Sequence, residues 1–222
     1  MQSKRSEESS KATSDVNGKK VKIDAEAEAA KQVRETFDEV VLPSSGLKII
    51  TWNVNGVRSL AKKREKWAEY LAKEDPDIIC LNETKIQEKD VDKLGDVFPG
   101  YHAYWHCSTA KKGYSGTAIF AKVQAQDVIK GFHQAVGGAA DNEGRVLTAR
   151  FPGFAVIAAY VPNSGLKLDR LNYRTADWDS RMQQHLLALR KDHPEDHLIW
   201  CGDLNVAHRD VDVSSPTKKR NK

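Results

Sequence analysis

The 222-residue sequence has only three cysteines, and no two of them have the spacing of a metal-binding pair. Cys80 and Cys201 lie inside apolar segments, so we expect free, buried thiols rather than a disulfide framework. No apolar run is long enough to span a bilayer, and the N-terminus lacks the apolar core of a signal peptide. These absences predict a soluble intracellular protein without a membrane partner.

Charge of one sign is not in large excess either. Lysine and arginine number 35 against 31 acidic residues, which gives a net charge of +4. Such a mildly basic chain is compatible with a polyanionic partner but does not establish one. With 40% hydrophobic residues and five tryptophans, the chain has enough apolar material for one large domain, which we place at residues 46–222.

Residues 1–45 are polar and of mixed charge, with Phe37 as the one aromatic side chain. A segment of this composition buries too little apolar surface to offset its ordering entropy, so it is predicted to be disordered. Lys4-Arg5 and Lys19-Lys20-Val21-Lys22 form two basic clusters. They are interpreted either as a nuclear localisation signal, which places the protein in the nucleus, or as an ordinary solvated tail.

The remaining chain alternates between strand and helix patterns. Strands are predicted at 48–52, 77–81, 101–105, 116–121 and 198–201, with a hairpin formed by 146–151 and 154–160. Helices are predicted at 58–73 and at 170–192, where leucines and Trp178 share one face. Strands of both orientations between helices predict an α/β fold in the form of a layered sandwich.

Polar side chains follow four of these strands where each strand ends. They are Asn53, Asn55, Glu83, Tyr160, Asn163, Asp203 and Asn205. Each alone is typical of a turn or a cap, but the repetition favours chemistry. The set contains oxygen groups and no histidine, cysteine or serine triad, and such sites suit Mg²⁺. Glu83 is the strongest candidate ligand, and Asp203 is a candidate base that deprotonates water.

At this point the motifs themselves are recognisable. In order along the chain they are TWNVNGVR, DIICLNETK, GYSG, EGRV, AYVPN, RLNYR and CGDLNVAH. This series resembles the exonuclease III-type apurinic/apyrimidinic endonucleases of the endonuclease/exonuclease/phosphatase superfamily. The resemblance extends from about Leu47 to about Pro216.

The resemblance implies a two-sheet α/β sandwich of the endonuclease/exonuclease/phosphatase type that binds double-stranded DNA as a monomer. It implies incision 5′ to abasic sites in base excision repair, dependent on Mg²⁺ or alternatively Mn²⁺, with weaker 3′–5′ exonuclease or 3′-phosphodiesterase activity. By position in the motifs, the metal ligands are Asn53, Asn55, Glu83, Asp203 and Asn205. The catalytic residues are Tyr160, Asp203 and Asn205, and the DNA contacts are Arg58, Tyr114, Arg145 and Asn163.

The family continues beyond GDLNVAH with further strands and a Ser-Asp-His motif, which have no counterpart before Lys222. The resemblance therefore implies an incomplete, C-terminally truncated domain whose activity is weak or absent. The alternative is a non-catalytic remnant that binds abasic DNA. A superfamily enzyme acting on phospholipids or phosphoinositides would need a different loop after the hairpin than Tyr160–Asn163 provides.

Overall fold

Two four-stranded mixed sheets face each other in the computed structural model, which describes residues 46–209 and residue 212. The first sheet contains β1 (Ile49–Asn53), β2 (Ile78–Asn82), β3 (His102–His106) and β4 (Thr117–Ala121), in the order β1-β2-β4-β3. β1 and β2 are parallel, and the other neighbours are antiparallel. Every residue of β2 and β4 is buried, as expected for the central strands of a covered sheet.

The connection between β1 and β2 contains two helices where the sequence predicted one. They are α1 (Val57–Ala61) and α2 (Arg64–Glu74). The break falls at Lys63, whose backbone is not helical. It allows Leu60 of α1 and Trp67 of α2 to pack on the same apolar cluster, which covers the outer face of the first sheet. Tertiary packing therefore overrides the continuous helical pattern.

The second sheet is built from β5 (Asp127–Lys130), β6 (Val146–Phe151), β7 (Phe154–Tyr160) and β8 (His197–Asp203), in that order. The predicted hairpin is found with its predicted bounds, and Gly153 has the positive φ that its turn requires. β5 was not predicted, because only Val128 and Ile129 of its four residues are apolar.

β7 and β8 are parallel and are joined through a helical segment. After one α-helical step at residues 171–172, this segment forms a π-helix (Tyr173–Trp178) and continues as α3 (Asp179–Asp192). Trp178, Met182 and Leu189 are buried against the outer face of the second sheet. Since the inner faces of both sheets share one core, in which Cys80 and Phe151 lie, the layers are helix, sheet, sheet and helix. The predicted α/β sandwich is confirmed.

The two parallel strand pairs, β1 with β2 and β7 with β8, determine where the candidate site lies. Asn53 is in register with Asn82, and Tyr160 is in register with Asp203, so both members of each pair end together. Parallel strands that end together present their following residues at one edge of a sheet. Both edges belong to the same end of the sandwich, because the Asp203 backbone N–H donates to Asn82 Oδ1 at 2.9 Å across the two sheets.

The cysteines are free thiols, as predicted: Cys80 and Cys107 are buried, and Cys201 is partly buried. None of the helices within the described part of the chain has the length and apolar character needed to cross a membrane. The predictions for residues 1–45, including the two basic clusters, lie outside the described residues.

Candidate active site

Two carboxylates from different sheets meet where the parallel strands end. Glu83 directly follows β2, and Asp203 is the last residue of β8. The side-chain nitrogen of Asn53, at the end of β1, donates to Glu83 Oε1 at 2.9 Å and to Asp203 Oδ2 at 2.8 Å. A single amide therefore links both acids and sets their separation.

Glu83 accepts hydrogen bonds on both oxygens. The Tyr160 hydroxyl donates to Oε1 at 2.8 Å, and Lys85 Nζ lies 2.8 Å from Oε2. Burial opposes ionisation of the carboxyl group, but the hydrogen bonds outweigh burial and hold the pKa of Glu83 below its usual range. Burial and the nearby Glu83 carboxylate raise the pKa of Tyr160, so its hydroxyl stays protonated and can serve as this donor.

The turns after the strands are closed by the same side chains that form the site. Asn53 Oδ1 accepts the backbone N–H of Asn55 at 3.1 Å, and Asp203 Oδ1 accepts that of Asn205 at 3.0 Å. These are Asx turns, in which a side-chain oxygen takes the place of a backbone acceptor. The turn interpretation of these residues is therefore confirmed, and their chemical role stays a prediction.

Four site residues have a left-handed backbone. Their φ values are 46° at Asn55, 56° at Glu83, 51° at Lys85 and 49° at Asn205. Asparagine tolerates this region, whereas glutamate and lysine adopt it at a cost of roughly 1–3 kcal/mol each. Hydrogen bonds hold the strained segment: the N–H of Thr84 donates to Gly116 O, and that of Lys85 to Ser115 O. Strain of this kind is concentrated at functional sites.

Asn205 is held on three sides. Its side-chain nitrogen donates to Val161 O at 2.7 Å, and its side-chain oxygen accepts from Asn163 Nδ2 at 3.0 Å. The guanidinium of Arg174 donates to the backbone oxygens of Leu204 and Asn205. The loop after β8 is thereby fixed against the loop after β7, which brings Asn163 and Asn205 to the same side of the site.

A cluster of arginine and tyrosine side chains borders the site. Arg145 is buried and donates to Tyr114 Oη at 2.7 Å and to Tyr160 O at 3.0 Å. Its guanidinium also lies 4.6 Å from the centroid of the Tyr160 ring, a cation–π contact. Arg170 Nη1 donates to Tyr114 Oη at 3.0 Å from the other side. Arg145 therefore positions the two tyrosines in this structure, and its direct contact with DNA stays a prediction.

Glu143 compensates the two guanidinium charges. It accepts hydrogen bonds from Arg145 and from Arg170. Burial raises the pKa of Glu143, but the two arginines outweigh burial and lower it overall. The cluster is thus a paired network, which fits its position in the interior better than an isolated charge would.

The donor set fits a magnesium ion. Within residues 46–209 and 212, no three acidic, histidine or cysteine side chains converge on one point, so an ion here would have two carboxylates, amide oxygens and water. Mg²⁺ is bound in proteins through one or two carboxylates and several waters. Three buried side chains next to this point, those of Asn82, Thr84 and Ser115, have polar atoms without a hydrogen-bond partner.

The structure brings most of the predicted residues together. Asn53, Asn55, Glu83, Tyr160, Asn163, Asp203 and Asn205 are linked by the hydrogen bonds above. Arg58 lies apart from them, exposed and paired with Asp90 at 3.1 Å. The site also contains Lys85, Glu143, Arg170 and Arg174, which were not predicted. The letters of NETK, EGRV and RLNYR contain these four, but only the tertiary contacts indicate what they do.

Comparison with known sequences gives one consistent result. A model of the endonuclease/exonuclease/phosphatase family matches residues 50–222. An exodeoxyribonuclease of Bacillus subtilis is 43% identical over 175 residues, which cover 79% of this chain and 65% of that protein. The DNA repair nuclease APEX1 of Danio rerio is 42% identical over 178 residues, or 80% of this chain and 54% of the relative.

Comparison with solved structures gives the same result as comparison with known sequences. The AP endonuclease LMAP of Leishmania major has a TM-score of 0.64 and 36% identity, covering 78% of this chain and 59% of that one. An AP endonuclease of Archaeoglobus fulgidus has a TM-score of 0.61 and 33% identity, covering 78% and 63%. The chain spans between about half and two thirds of the length of these relatives.

Proposed function

The chain belongs to the endonuclease/exonuclease/phosphatase family, and we propose that it is an apurinic/apyrimidinic endonuclease. It hydrolyses the phosphodiester bond 5′ to an abasic site in double-stranded DNA during base excision repair and trims 3′ ends more weakly. Relatives named as an exodeoxyribonuclease, a DNA repair nuclease and AP endonucleases support this proposal.

The observation that carries the proposal is the junction of Glu83 and Asp203 through Asn53. Hydrolysis of a phosphodiester needs an anchored cation, a proton acceptor for the attacking water, and donors for the developing charge. The strand ends supply candidates for all three functions within one set of hydrogen bonds. The two carboxylates come from different sheets, so they lie close together only because the two sheets pack against each other.

Glu83 is the principal ligand for Mg²⁺, with Asn53, Asn55 and the Asp203–Asn205 turn as supporting oxygen donors. When bound, the ion would neutralise charge on the scissile phosphate. The low pKa of Glu83 keeps it available as an anion. Asp203 has one oxygen committed to its Asx turn and the other to Asn53, so its orientation is fixed while it takes the proton from the attacking water.

Hydrogen-bond donors on the phosphate come from the loops. Asn205 uses one hydrogen of its amide for Val161 O, and the second is available to a phosphate oxygen. Tyr160 acts chiefly on Glu83 in this arrangement, because its single hydroxyl proton is donated to that carboxylate. Asn163, exposed beside Asn205, is the neighbouring phosphate contact.

DNA is held by side chains that read no base. Arg58 is exposed at the start of α1, and Tyr114 presents a hydroxyl that two arginines hold in place. Contacts of this type position a duplex and make binding dependent on salt.

The direct test is single-turnover incision of a duplex with one synthetic abasic site, with enzyme in excess, in Mg²⁺ and in chelator. We expect slow cleavage that occurs in Mg²⁺ only, and at least about a 10²-fold lower rate for Glu83→Gln. Glu69→Gln removes an equivalent charge on the exposed face of α2 and should cleave like the wild type. Cleavage in chelator, or an unchanged rate in Glu83→Gln, would contradict the proposal.

The same experiment separates the second candidate function. A chain that binds the abasic duplex in a salt-sensitive way, yet yields no product in Mg²⁺ or Mn²⁺, would be a non-catalytic DNA-binding domain. The position of Arg58 favours this second candidate, because a DNA contact outside the hydrogen-bonded site could act without catalysis.

The basic clusters at Lys4-Arg5 and Lys19–Lys22 support a separate proposal, import into the nucleus. A fluorescent fusion of the chain should accumulate there, and substitution of both clusters by alanine should disperse it. Equal distribution of the two fusions would contradict this proposal.

A further inference from the structure

The Lys85 ammonium contacts two of the predicted metal ligands. It is 2.8 Å from Glu83 Oε2 and hydrogen-bonds to Asn55 Oδ1. These are the two predicted ligand oxygens that the rest of the site leaves open, because Glu83 Oε1 already accepts from Asn53 and Tyr160. Within the described residues, no other hydrogen bond to Glu83 Oε2 or Asn55 Oδ1 is found.

We propose that the Lys85 ammonium is a built-in competitor of the divalent ion for Glu83 and Asn55, so that metal binding requires its displacement and Lys85 sets the metal affinity. This inference rests on the proposed metal-dependent function and adds a regulator of that same site. A single positive charge and a divalent cation repel each other and cannot share two oxygens, so one must leave when the other binds.

The backbone directs Lys85 to this position. Glu83 and Lys85 both have left-handed φ values, and the N–H of Lys85 is bonded to Ser115 O at 2.9 Å. The side chain, in contrast, is 32% exposed. A fixed backbone with a partly exposed, flexible side chain allows the ammonium to leave Glu83 without unfolding the segment.

Lys122 is a matched control. Its ammonium lies 2.7 Å from Asp75 Oδ1 and 3.5 Å from Asp77 Oδ1, and its side chain is 33% exposed. It follows β4 at the end of that strand opposite the site. Lys122→Met therefore removes a comparable ion pair from a comparable environment, away from Glu83.

The first test measures Mn²⁺ binding to the full chain without DNA, by electron paramagnetic resonance of the free ion. We expect Lys85→Met to bind Mn²⁺ with about a tenfold lower Kd, the size expected for loss of one partly exposed competing charge. Lys85→Arg and Lys122→Met should match the wild type. Equal or weaker binding by Lys85→Met, or no binding of Mn²⁺ by the wild type, would overturn the inference.

The second test needs no variant. Acetylation of lysines by a succinimidyl ester, mapped by mass spectrometry, should modify Lys85 several-fold faster once Mn²⁺ is added, since the side chain is then released from its ion pair with Glu83. Lys122 should react at the same rate with and without the ion. Unchanged or slower modification of Lys85 in Mn²⁺ would overturn the inference even if Lys85→Met fails to fold.

Neither test involves cleavage, so the two proposals can fail separately. Faster Lys85 modification in a chain that cleaves no DNA would leave the competition standing and refute the nuclease. Metal-dependent cleavage by the wild type, with unchanged Mn²⁺ affinity in Lys85→Met, would support the nuclease and refute the competition.

Discussion

The carboxylates of Glu83 and Asp203 accept hydrogen bonds from the same nitrogen, Nδ2 of Asn53, at 2.9 and 2.8 Å. The two acids belong to different sheets, and β1 lies in register beside the strand that precedes Glu83. Because Asn53 bonds to both acids, it fixes the distance between them once the two sheets pack together.

Asn53→Ala should reduce the single-turnover cleavage rate by about 10²- to 10³-fold, the range for removing one preorganised donor. The two carboxylates lose their common partner, and their separation is no longer fixed. Affinity for the abasic duplex should change little, because Asn53 is not among the residues proposed to contact DNA. Asn172→Ala, at an exposed position before α3, is the control. A normal rate in Asn53→Ala would show that the bridging amide is dispensable.

Arg145→Met should destabilise the fold by about 3 kcal/mol or more, because it leaves Glu143 partly buried without its main partner. The Arg145 side chain is only 2% exposed and also donates to Tyr114 and Tyr160. Urea unfolding of variant and wild type gives the difference. A loss of DNA affinity at unchanged stability would instead support the predicted direct contact of Arg145 with DNA.

Arg58→Met makes the same change of charge at a side chain that is 55% exposed. We expect unchanged stability, weaker binding of all duplexes alike, and a salt dependence of binding that is lower by about one phosphate contact. Fluorescence anisotropy at several salt concentrations measures both quantities. An unchanged salt slope would remove Arg58 from the DNA interface.

His185 should make the fold sensitive to acid. It is fully buried on α3, where its nitrogens bond to the His133 N–H and to Thr148 Oγ1. Burial, with a smaller contribution from His133, lowers the pKa of His185 from 6.5 to about 4. The unfolded chain then binds more protons between pH 6.5 and 4. The stability contributed by neutral His185 is complete above pH 6.5 and is lost as pH falls through this window.

The shift corresponds to about 3 kcal/mol at most, and His185→Gln should lack this component. The stability difference between wild type and His185→Gln should therefore shrink as pH falls from 7 to 4.5. Urea unfolding at several pH values measures it, with the exposed His102→Gln as control. A difference that is constant with pH would mean that His185 does not titrate in this range.

The sequence predicted the fold where local pattern and tertiary packing agree. The hairpin of β6 and β7 is an example, since alternation and Pro152-Gly153 both specify it. The prediction was wrong for the helix at 58–73, because the break at Lys63 is imposed by the sheet beneath it. β5 was missed because its pairing with β6, rather than its own composition, makes it a strand.

For the site, the sequence identified residues but not their partners. Asn53, Glu83 and Asp203 could be named because each follows a recognisable strand. That Arg145 donates to Tyr114 and that Lys85 donates to Asn55 depends on contacts between segments that are distant in the sequence. No periodicity encodes such contacts, so sequence reasoning could not assign positioning roles.

The Asx turns at Asn53 and Asp203 impose two separate selections on the same positions. Asparagine and aspartate best provide the short side-chain acceptor that closes these turns, and serine and threonine do so more weakly. A library selected for folded protein should therefore be enriched in the first two residues at each position. A library selected for activity should retain only the native residue of the two. Comparison of the residues enriched at each position in the two libraries would thus separate what folding of the turn requires from what activity requires.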